Sequence, residues 1–68
     1  MVTLKQARIN AGLSQRAAAT KTKVSRSSIQ RIEKNGIQDH TLVYILVAMI
    51  DTYNLPANEC TEIMALNK

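Results

Sequence analysis

Ser27, Gln30, Arg31 and Lys34 recur at spacings of +3, +4 and +7, so they share one face of a helix, with Arg26 beside them in its first turn. Hydroxyl, amide and guanidinium groups are the types that pair with base edges and with phosphate oxygens. Ile29 and Ile32 point the other way, toward a core. An ordinary solvated helix face mixes in Asp and Glu for i, i+4 pairs. This face has none, because the one acid, Glu33, lies nearer the core side. The chemistry on offer is that of a helix laid in the major groove of duplex DNA.

Charge placement agrees. Residues 1–36 hold eight basic side chains (Lys5, Arg8, Arg16, Lys21, Lys23, Arg26, Arg31, Lys34) against Glu33, a balance of +7. Residues 37–68 hold Asp39, Asp51, Glu59 and Glu62 against Lys68, a balance of −3, which restores the overall +4. A chain divided this way has a basic part for a polyanion and a second part with another task.

The elements that must position these groups are short helices. Thr3 caps a first helix over about 4–11, with Leu4, Ala7, Arg8 and Ala11 on one face and Gly12 just past its end. Ser14 caps a second, over about 15–21, whose Ala17, Ala18 and Ala19 permit close helix–helix approach. Residues 22–24 form a turn. Ser25 caps the third helix, about 26–34, and Gly36 lies beyond its end. A loop over 35–40 leads to a fourth helix over about 41–52, with Asp39 or His40 at its start. That helix is apolar almost throughout, so it is expected to be buried nearly all round. Asn54-Leu55-Pro56 breaks the chain before a fifth helix over about 57–66, with Cys60, Ile63, Met64 and Leu66 as its apolar side.

Size and composition bound the rest. Sixty-eight residues fit one domain, and a chain of that length buries only about 60% of its unfolded surface. At 46% apolar residues it is expected to fold. The lone Cys60 has no intrachain partner, which suits a reducing cytoplasm, and is expected to be a small core residue of the last helix. The apolar run over residues 42–50 is too short for a membrane span, and there is no signal-peptide pattern at the start. One His and one Cys offer neither a metal set nor a catalytic set, so no cofactor, metal or enzymatic activity is expected. Tyr44 and Tyr53 lie outside the basic half, which argues against base stacking on single-stranded RNA.

These residues resemble the phage-repressor and Cro-like helix-turn-helix family, also called XRE-type. The resemblance runs from Leu4 to about Met49. It rests on Ala7-Arg8, Gly12-Leu13-Ser14-Gln15, Ala19, Val24-Ser25, Ile29 and Ile32-Glu33, then Thr41-Leu42, Ile45 and Ala48. It implies an all-α, five-helix, lambda-repressor-like domain. Arg26, Ser27, Ser28 and Arg31 then fall where members touch base edges. Gln15 would contact a phosphate while bracing the third helix, and Ala19 would sit where the second helix crosses the third. Lys34 and Asn35 fall near a phosphate-binding position. Arg16, Lys21 and Lys23 supply further phosphate contacts by their charge. Arg8 and Glu33 match an internal ion pair joining the first and third helices.

Three features depart from the family pattern. Lys23 stands where a turn glycine is usual, Thr22 where Val or another apolar residue is common, and residues 51–59 make a longer link to the last helix. The first two bear on the turn and the third on how copies pair. The expectation is a sequence-specific regulator, a repressor that binds a palindromic operator as a homodimer through its fourth and fifth helices, in a prokaryotic cell or a phage-infected host. The rival is a protein-interaction module, such as an antitoxin-type protein whose C-terminal half clamps a partner. It would show a large exposed apolar patch and sequence-blind DNA binding.

Overall fold

The computed structural model describes residues 1–38 and 41–66, and its elements follow in the order α1 (Leu4–Asn10), α2 (Gln15–Thr22), α3 (Arg26–Asn35), α4 (Val43–Thr52), a 3-10 turn (Ala57–Glu59) and α5 (Thr61–Ala65). The first three helices begin where their caps predict. The side-chain oxygens of Thr3, Ser14 and Ser25 accept from the amides of Gln6, Ala17 and Ser28, each three residues on. Each bond satisfies an amide that the helix itself leaves unpaired. Gly12 ends α1 in a left-handed conformation, and the amides of Gly12 and Leu13 donate back to Ile9 and Arg8. Ala11, expected on the core face, is exposed because it already belongs to that C-terminal turn.

α2 packs against both α3 and α4. Leu4, Ala7, Ala18, Val24, Ile29, Ile32, Met49, Tyr53 and Cys60 form one core, with half-buried Leu13, Ala19, Ile45 and Ile63 around it. The turn between α2 and α3 explains two departures from the family pattern together. Lys23 takes the left-handed conformation (φ 61°, ψ 25°) that glycine would adopt without strain. Thr22, buried beside it, donates its hydroxyl to the Ala18 carbonyl at 2.7 Å and accepts from the Val24 amide at 3.2 Å. Its side chain ties both sides of the turn, a job that an apolar residue could not do. Lys23→Gly should raise stability by up to about 1 kcal/mol, because the Cβ penalty disappears. In a domain of this size that is a gain of roughly 4–8 °C in melting temperature. A clear fall in the melting temperature would contradict the strain at this position.

The C-terminal half corrects three expectations. α4 begins at Val43 rather than near 41, with no side-chain cap on its first turn. Thr41 is held outside the helix, because its hydroxyl and amide both close a turn with Gln38. The expected cap at Asp39 or His40 lies outside the described residues. Nor is α4 buried all round. Leu46 and Met49 are covered, but Leu42 (53%), Val43 (73%), Tyr44 (64%) and Val47 (54%) are exposed. So small a domain has too few residues to cover both sides of an apolar helix. Finally, the single helix expected over 57–66 is interrupted. Cys60 is fully buried, but its extended backbone forms a parallel bridge with Val2 ahead of α5. Val2 donates to the Glu59 carbonyl and accepts from the Thr61 amide. The Glu62 carboxylate then accepts from the Leu4 amide at 2.9 Å. These bonds tie the start of α1 to the start of α5, and Leu66 is left exposed. Among the described residues, no helix is long and apolar enough to cross a membrane.

Candidate nucleic-acid interface

The site is built outward from a buried ion pair. Arg8 on α1 reaches Glu33 on α3 with Nε–Oε2 at 2.6 Å and Nη2–Oε1 at 3.2 Å. The two side chains are only 9% and 4% exposed. Arg8 also donates through Nη1 to the Leu13 carbonyl at 2.8 Å, so α1, the α1–α2 connection and α3 meet at one guanidinium. Tyr53 at the end of α4 lies in the field of this pair. Its phenol is pushed up to about 12 by burial, then by the Glu33 charge, with Arg8 opposing. It therefore remains neutral near neutral pH.

Gln15 extends the network to the surface. As the first residue of α2 it donates Nε2 to Glu33 Oε1 at 3.0 Å and accepts at Oε1 from Gln30 Nε2 at 3.2 Å. Gln15 is half-buried and Gln30 exposed. The resemblance implies that Gln15 braces α3, and the structure shows how. The Gln15–Gln30 contact could not be read from the sequence, because nothing local links two amides fifteen positions apart.

Consuming Glu33 in this way sets the electrostatics of the outer surface. Arg16, Lys21, Lys23, Arg26, Arg31 and Lys34 are all exposed on α2, the turn or α3. No other acid occurs in residues 1–38. Arg16 and Arg26 line one open concavity with Ser14, Gln15 and Arg8. It lies where α2 and α3 begin, so their unpaired amides add to the attraction for anions. Arg31 and Ser28 line a second concavity with Gln38, Thr41 and Leu42. Ser27 is exposed, whereas Ser28 is half-buried and its hydroxyl accepts from Ser25 Oγ at 2.9 Å. Lys34 and the exposed Asn35 close α3 at the end opposite Arg26, about 12 Å along the helix axis.

A helix-turn-helix family model matches residues 4–60. The chain belongs to the phage-repressor and Cro-like (XRE-type) helix-turn-helix family. Its all-helical fold of five α-helices among the described residues is that of the family. No curated protein and no solved structure matches it. The chain is thus a helix-turn-helix DNA-binding domain. Among the described residues, no group of three or more His, Cys, Asp or Glu side chains is placed to hold a metal.

Proposed function

We propose that this helix-turn-helix domain is a sequence-specific transcriptional regulator, a repressor that occupies a palindromic operator as a homodimer. The observation that carries the reading is the outer surface of α2 and α3, where six cations are exposed and Glu33, the one acid of residues 1–38, is buried against Arg8. In this reading α3 enters the major groove. Arg26 and Arg31 read guanine through its O6 and N7, and Ser27 and Ser28 make short contacts beside them. Gln15, Arg16, Lys21, Lys23, Lys34 and Asn35 hold phosphates and fix the register. Two copies would read half-sites about 34–36 Å apart. The exposed apolar side of α4, formed by Leu42, Val43, Tyr44 and Val47, supports pairing through the C-terminal half. Regulation would then follow from occupancy of a promoter in a prokaryotic cytoplasm.

That same apolar side favours the second reading, an antitoxin-type module that clamps a protein partner there. The two part on how base readers and phosphate clamps respond to truncation. Arg31→Ala should cost about 1–3 kcal/mol on the preferred duplex and flatten preference at one or two base pairs per half-site. Lys21→Ala should weaken all duplexes about equally. Binding titrations of both variants on preferred and scrambled duplexes decide the matter. If Arg31→Ala lowers both affinities in the same ratio, α3 does not read bases through that residue.

A further inference from the structure

We infer that the cavity between α3 and the start of α4 binds a small aromatic carboxylate, which takes the Arg31 guanidinium away from DNA and so releases the operator. The binding itself is independent of the operator reading above, and only its competition with DNA rests on that reading. The cavity measures about 120 Å³ and is open on one side. An enclosed apolar cavity of about 150 Å³ holds a benzene ring, so this one is of the size for a single ring with its substituent at the mouth. Ile32, Leu42 and Ile45 form its apolar wall, with Ile32 buried and Ile45 half-buried. Its polar lining is made largely of donors. Ser28 Oγ accepts from Ser25 Oγ at 2.9 Å, and Thr41 Oγ1 accepts from the Gln38 amide at 3.0 Å. Among the described residues neither of these two hydroxyls donates, so both protons remain to be given.

Arg31 lines the same cavity, is exposed and can only donate. The ion pair among the described residues joins Arg8 to Glu33 and leaves Arg31 without an acid. A group that meets a guanidinium and two hydroxyl protons must accept. A carboxylate accepts at both oxygens and matches the charge. A neutral aromatic would leave that charge unmatched, and a phosphate or a short acid would leave the apolar wall empty. The ligand that satisfies both sides is a ring bearing one carboxylate. Arg31 is also the residue that the operator reading assigns to guanine. Its fork of N–H groups holds one planar pair of acceptors at a time, either the two carboxylate oxygens or O6 and N7 of the base. A bound carboxylate therefore removes a base reader and sets a negative charge beside the phosphates. Control by a small molecule then needs no second domain.

The test uses benzoate as the probe, with acetate and benzyl alcohol as controls, at constant ionic strength. Two-dimensional NMR of the parent should show saturable amide shifts at Arg31, Ile32, Thr41 and Ile45, with a dissociation constant of about 10 mM or tighter for a ligand of this size. Arg31→Ala should weaken benzoate but leave the weaker binding of benzyl alcohol unchanged. Ile45→Phe, which fills the cavity, should abolish binding of both while the duplex is still bound. In the second arm, benzoate exchanged for acetate at about three times its dissociation constant should weaken binding of a selected duplex about fourfold per protomer. Ile45→Phe should remove that effect. If benzoate gives no saturable shifts, or acetate gives the same ones, the cavity is not a carboxylate site and the inference fails on the parent alone, whatever the variants do. If benzoate binds but leaves duplex affinity unchanged, Arg31 is not shared and the competition is wrong. If the parent selects no duplex at all, the operator reading fails, and the NMR arm still decides whether the cavity takes the ligand.

Discussion

Replacing Glu33 by alanine should destabilise the domain by about 3–5 kcal/mol, the cost of leaving one charge of a buried pair without its partner. Arg8 cannot escape by losing its proton, since a guanidinium stays charged in proteins. It would keep only the Leu13 carbonyl as a partner. Gln15 would lose its acceptor as well, so the brace to α3 would go with the charge. A loss of this size lowers the melting temperature by at least about 12 °C in so short a chain. Replacing both partners by apolar residues of similar volume, Arg8→Met with Glu33→Leu, should recover most of the loss, because no charge is then left buried. Melts followed by circular dichroism would show both effects. A Glu33→Ala melt within about 1 kcal/mol of the parent would mean that the pair behaves as an exposed surface bridge.

The sequence exposes the first half of the fold well, and for local reasons. Thr3, Ser14 and Ser25 are each followed by the helix they cap, and their bonds reach only three residues ahead. Gly12 and Gly36 stand at the two positive-φ positions that end α1 and α3. The boundaries of α1, α2 and α3 therefore fall within one residue of expectation. The second half resists because its punctuation is not local. Cys60 leaves the helical pattern to bridge Val2, at the opposite end of the sequence. Thr41 leaves it to close a turn with Gln38. An apolar pattern such as that of α4 reports that a side chain favours burial but not whether the domain has enough mass to cover it. The candidate site divides in the same way. The outward register of α3 follows from periodicity alone. The Arg8–Glu33 pair is implied only by the family resemblance, and the Gln15–Gln30 contact needs the three-dimensional crossing of two helices.

The proposal that this surface binds DNA, and reads it, is tested most directly by one titration series in salt. In that proposal the exposed Arg16, Lys21, Lys23 and Lys34 would make about four phosphate contacts per protomer and about eight per dimer. Release of the corresponding counterions predicts a slope of log affinity against log salt on the order of −7. A fourfold rise in salt should then weaken binding about 10⁴-fold, the largest effect expected of any change of conditions. The series should be run on a duplex recovered by selection and on a scrambled duplex of the same length. Both should show the steep slope, since phosphates are common to all sequences, and the selected duplex should bind at least about 10³-fold more tightly at physiological salt. A slope near zero would contradict the electrostatic surface, and equal affinity for the two duplexes would contradict base reading by α3.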